Sequence, residues 1–142
     1  MSAVEAPRPW INYAACAWAV VFGAPHVWWA LGVPAGFPGG QASYDFFMSS
    51  TWRVVFDLVV VLLCGASIFI ALVLARPGGP AALRSMARIA AWIACAMLTL
   101  RGLAGLVVDG FSDPVWWPTF LAGGLLFAGV AWRAAGLIRP AG

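Results

Sequence analysis

The chain has no lysine. Its eight basic residues are all arginine, and five acidic residues stand against them, for a net charge of +3. Charged residues make up only 9% of the 142, whereas a soluble domain carries about 25%. So little charge cannot solvate a surface in water, which excludes an ordinary soluble globular domain. There is a single histidine, and the three cysteines are far apart with no C-x-x-C. A lone histidine without a nearby thiol or second histidine builds neither a zinc site nor a bis-histidine haem site. No metal and no cofactor is expected, and Cys16, Cys64 and Cys95 read as small packing residues. The arginines are spread over several segments rather than clustered, so nucleic acid is not an expected partner. A glycine-rich phosphate loop, a nucleophile elbow, a heptad pattern and internal repeats are also missing.

What remains is apolar. Hydrophobic residues make up 63% of the chain and the mean hydropathy is +0.93. Most of them fall in four runs, about 10–31, 51–75, 86–108 and 116–138. Each is long enough to cross a bilayer as a helix, which takes roughly 20 residues. The stretch from Val54 to Leu63 does not alternate polar and apolar residues, as a barrel strand would. Helices satisfy their own backbone groups in hydrocarbon. The expected fold is therefore all-α: one four-span transmembrane bundle covering residues 1–142.

The arginines orient it. Arg8 precedes the first run, Arg76, Arg84 and Arg88 flank the middle connection, and Arg133 and Arg139 end the fourth run. The other two connections carry Asp45, Asp109 and Asp113 and no arginine. The positive-inside rule then puts both termini in the cytoplasm. The first run is too long in its apolar core for a cleaved signal peptide. The expected location is a bacterial plasma membrane, crossed several times. Membrane lipids are the expected partners, with a homo-oligomer or a larger membrane complex as the setting.

Threaded this way, His26, Arg53, Asp57, Arg101 and Asp109 share the outward half. Arg53 and Asp57 are four apart on one helix face, which suits an intrahelical ion pair. Arg101 lies at a depth similar to Asp57, with Gly102, Ala104 and Gly105 beside it, so an Arg101–Asp57 contact is expected. Pro25 interrupts the first helix one residue before His26. Trp29, three residues on, shares the face of His26. His26 is the candidate acid/base, expected inside the bundle against the second or third span. Trp29 and Trp117 are the rim tryptophans expected to wall a pocket, the other rim tryptophans forming an aromatic belt. Ala15, Ala19 and Gly23 form one close-packing stripe, and Gly123, Gly124 and Gly129 another. The connection between the first two runs is read as a long loop whose aromatic end lies over the bundle mouth. Arg84 and Arg88 are expected together at the lipid headgroups.

Two segments have a wider likeness. Pro25-His26-Val27-Trp28-Trp29-Ala30-Leu31-Gly32, and Asp113-Pro114-Val115-Trp116-Trp117 continuing to Ala122-Gly123-Gly124-Leu125-Leu126-Phe127, resemble a family of small bacterial four-helix membrane proteins classed as a domain of unknown function. The resemblance implies the fold, membrane residence and attention to His26, and supplies no activity. The leading expectation is a ligand-binding or accessory membrane subunit with a site in the outward half, made from His26, Trp29, Arg53, Asp57, Arg101, Asp109 and Trp117. One alternative is a small membrane enzyme acting on a lipid or isoprenoid-like substrate, with His26 as acid/base. Another is a minimal oligomeric transporter.

Overall fold

A computed structural model describes residues 9–38, 40–109 and 115–136. Among them are five helices: α1 (Trp10–Ala30), α2 (Gly40–Met48), α3 (Thr51–Ala75), α4 (Ala81–Asp109) and α5 (Trp116–Gly136). The protein is all-α over these residues. α3, α4 and α5 are each long and apolar enough to cross a membrane. α1 has the length, with 21 residues, but its composition is diluted by Asn12, Tyr13, Pro25 and His26. α1 packs against α3 and α5, and α4 packs against the same two helices.

Small residues set how closely the helices approach. The buried face of α1 is Asn12, Ala15, Ala19, Gly23, His26 and Trp29, spaced three or four apart as one helical stripe requires. On α3 the matching face is Asp57, Cys64, Ala71 and Leu74. A Cβ at Gly23 would lie 3.1 Å from Cβ of Cys64, so these two backbones meet nearly in contact. α5 uses its glycines on two neighbours. A side chain at Gly123 would run into the Trp18 ring of α1, and one at Gly124 into Thr99 of α4. The largest wholly buried side chains are Phe127, Leu74, Val130, Asn12 and Asp57.

Two polar contacts fix the antiparallel register of α1 and α3. Asn12 Nδ2 donates to the Ala71 carbonyl at 2.9 Å. Fourteen residues along each helix, His26 meets Asp57, so the two ties are about 21 Å apart. The outer faces are apolar: Val107 is 84% exposed and Trp52 80%. Such faces call for lipid rather than water.

Three local features differ from the sequence reading. The connection after α1 is not irregular throughout, since α2 forms within it. Gly40, at φ 76, takes a conformation that side chains resist, and Gln41 Nε2 then donates to Asp45 Oδ1, one turn on, at 2.7 Å. The third long helix begins at Ala81 rather than near 86, because Pro80 sits just outside a first turn that needs no N–H from it. Arg84 is thereby drawn inward, buried at 9% exposure, with Nη1 donating to the carbonyls of Arg76 and Pro77. It caps the end of α3 instead of sharing a headgroup-facing surface with Arg88.

Candidate functional site

The best-defined polar feature is a pair of side chains between α1 and α3. His26 Nδ1 lies 2.7 Å from Asp57 Oδ1. His26 is 6% exposed and Asp57 1%. An aspartate is short, and it reaches the imidazole because Gly23 and Cys64 let the two helices touch one turn away from His26. A carboxylate can only accept, so an ionised Asp57 fixes the proton on Nδ1 and turns Nε2 toward the rest of the site. Among the described residues neither His26 Nε2 nor Asp57 Oδ2 has a hydrogen-bond partner, and both atoms are buried. Each such atom costs on the order of 1–3 kcal/mol unless something meets it. No third His, Cys, Asp or Glu joins the pair as a metal ligand among the described residues.

Aromatic rings enclose the pair. Trp29 lies 4.9 Å from the imidazole, nearly edge-on, Phe22 lies 5.4 Å away, and Phe56 lies 6.4 Å away. Trp116 of α5 packs on both Trp29 and Phe22. An outer layer comes from the connection after α1. Phe37 packs on Trp29 at 5.0 Å and on Phe47 at 5.2 Å, and Phe47 packs on Phe56.

This lid is tied down at both ends. At its start, Val33 N–H donates to the Trp28 carbonyl and Gly32 N–H to the Trp29 carbonyl, with Gly32 at φ 90. That is a Schellman ending for α1, and it needs a residue tolerant of positive φ. Further along, the buried Tyr44 hydroxyl donates to the Trp29 carbonyl at 3.0 Å, and Trp29 Nε1 donates to the Ala35 carbonyl at 3.1 Å. Beside the lid is a cleft of about 540 Å³ lined by Phe37, Ala42, Ser43, Phe46, Phe47 and Arg53. Two layers of rings separate it from the dyad, Phe37 with Phe47 and then Trp29 with Phe56.

The residues nominated from sequence are thus only partly brought together. His26, Asp57 and Trp29 form the centre. Arg53 does not pair with Asp57. Its Nη1 donates to the Phe46 carbonyl, with the guanidinium 4.4 Å above the Phe46 ring. There it caps α2 and borders the cleft. Arg101 does not reach Asp57 either. It is exposed on α4, with its guanidinium 5.0 Å from the Phe120 ring. Asp109 closes α4, and its side chain lies outside the described residues, as does Asp113. Trp117 is half-buried in the first turn of α5, and its neighbour Trp116 is the ring packed against Trp29.

Phe22 was missed although it sits four residues before His26, a spacing as telling as that of Trp29. Phe56, Trp116 and Tyr44 come from other elements, and no local spacing pointed to them. A second polar cluster was also missed. Asn12, 1% exposed, accepts from Arg133 Nη1 at 2.8 Å while donating to Ala71.

Set against protein-family models, curated proteins and solved structures, the chain finds no match in any of the three.

Proposed function

We propose that the chain is a small integral membrane protein in which α1 makes a fourth crossing, and that its outward half binds a small, largely apolar ligand at the His26–Asp57 dyad. The observation that carries this reading is the pair of buried atoms, His26 Nε2 and Asp57 Oδ2, unmatched among the described residues and inside a shell of aromatic rings. A ligand that suits it has one hydroxyl group on an apolar or aromatic body, because both unmatched atoms accept hydrogen bonds. The polar group meets Nε2, and the body replaces ring contacts now made by the lid. The cleft beside Phe37 and Phe47 is the approach. Gly32 and Gly36, both at positive φ, are the points where the lid backbone turns most freely.

Support for the fourth crossing comes from register. α1 runs beside α3 with ties at both ends, so it shares the depth of a helix long and apolar enough to span. Its exposed residues include Val20, Val21 and Leu31, while Asn12 and His26 face inward. The arginine distribution supports cytoplasmic termini and an outward dyad.

A second reading has its own support. Asp57 holding the imidazole through Nδ1 is the arrangement that prepares Nε2 as an acid or base, which favours an enzyme acting on a lipid or isoprenoid-like compound. The test is to purify the protein from its native membrane in mild detergent and analyse the organic extract by mass spectrometry. Wild type should release a small molecule in near-stoichiometric amount. His26→Gln should stay folded and release on the order of ten times less, the loss of about one hydrogen bond. Equal release from both sinks the binding reading. Conversion of the compound during incubation with wild type would favour the enzyme.

A further inference from the structure

At the opposite end of the molecule from the dyad, a second cleft of about 310 Å³ lies between the end of α3 and the start of α4. That volume is at the lower end of ligand cavities, roughly 300–1,000 Å³. Its lining is of two kinds. Phe69, Leu72 and Leu83 make an apolar wall, while Arg76, Arg84 and the turn ending at Pro80 make a polar mouth.

The arginines there are under-used. Arg84 Nη1 serves the two carbonyls that end α3. A guanidinium has five N–H donors, and those on Nε and Nη2 of Arg84 have no partner among the described residues. The exposed Arg76 guanidinium has none there either. The first-turn N–H groups of α4 open at the same place, at the positive end of a 29-residue helix. The acidic residues among the described ones, Asp45, Asp57 and Asp109, all belong to the other end. Nothing described therefore neutralises this mouth.

α3 has 25 residues, about 37 Å of helix against a hydrocarbon core of roughly 30 Å. Its ends consequently sit in the headgroup layers. We infer that this cleft binds an anionic phospholipid, with the headgroup phosphate held by Arg76 and the remaining donors of Arg84 and an acyl chain laid along Phe69 and Leu72. Free phosphate would use the same arginines but has no use for the apolar wall. This site stands apart from the dyad, and either can fail without the other.

Native mass spectrometry of the detergent-solubilised protein, titrated separately with phosphatidylglycerol and phosphatidylcholine, tests it. Both lipids carry the phosphate, but the choline cation cancels its charge; at roughly fivefold per arginine facing net negative charge, phosphatidylglycerol should bind about 25-fold more tightly. Arg76→Gln removes no side-chain hydrogen bond among the described residues, leaves the Arg76 carbonyl to Arg84, and should cut the preference about fivefold. Arg53→Gln, at the other end, should leave it unchanged. Equal binding of the two lipids would overturn the inference, as would an undiminished preference in Arg76→Gln. Displacement of phosphatidylglycerol by millimolar inorganic phosphate would also overturn it, by making the cleft a phosphate site instead.

Discussion

Asp57 has three basic residues at a matching depth in the sequence, and it is the histidine that it meets. The reason lies in reach and direction. Arg53 is four residues away on the same face, but its long side chain finds the Phe46 carbonyl near the end of α2 and the rings of two phenylalanines, so its charge is accommodated at the rim. Arg101 has the right depth and the wrong rotation: Gly102 faces α5 and is buried, while Arg101 points outward. His26 has both depth and direction, because it continues the small-residue stripe of α1. The two buried groups should therefore be coupled. Asp57→Leu alone strands a buried imidazole and should cost on the order of 3 kcal/mol in detergent unfolding. His26→Leu alone should cost a similar amount, by stranding the carboxylate. The double variant should recover much of the loss, and simple additivity would show that the pair is not a unit. Depth was legible in the sequence, since position along a helix is a count of residues. Rotation was legible only where a buried stripe could be read, as in Ala15, Ala19 and Gly23. For α4 no such stripe separates the two sides clearly, and Arg101 was misplaced.

The long helices were legible because apolar runs bounded by proline, glycine and arginine leave little choice. α3 occupies the expected residues 51–75. α2 was not legible. Its nine residues carry no strong apolar period, and what holds it is tertiary: Tyr44 on the Trp29 carbonyl, Phe47 on Phe56, and Arg53 at its end. The start of α4 was set too late because its first turns, with Arg84 and Ser85, look like loop until Arg84 is seen closing α3. α1 is the element with the most at stake. Its inward Asn12 and His26 lower its apolar character, yet those are the residues that tie it to α3. The proposed fourth crossing requires α1 to separate its two ends. In a background with Cys16, Cys64 and Cys95 changed to alanine, Gln41→Cys should react with an impermeant thiol reagent added outside intact cells. Ala3→Cys should react only after the membrane is opened. Labelling of both from one side would show that α1 lies along the surface.

Over the whole molecule, charge and polarity are sorted by end. One end carries Arg76, Arg84 and Arg88 around a cleft with an apolar wall. The other carries a histidine–carboxylate pair roofed by aromatic rings. Between them lies a core built largely from alanine and glycine contacts, with Phe127 and Leu74 as its largest apolar side chains. The apolar exterior and the arginine asymmetry could be read from composition. The closure of the lid over the dyad could not, since it joins rings from α1, α3, α5 and the connection after α1. The proposed binding site depends on the sole histidine lying inside this shell and bonding to Asp57. Because there is only one, histidine labelling gives one imidazole signal. Solid-state NMR in lipid bilayers, with ¹⁵N-histidine and ¹³C-aspartate, should show a close cross-peak between imidazole Nδ1 and a single aspartate carboxyl, lost in Asp57→Asn. An imidazole with no aspartate cross-peak, and with its signal broadened by a lipid-soluble paramagnetic agent, would contradict the account.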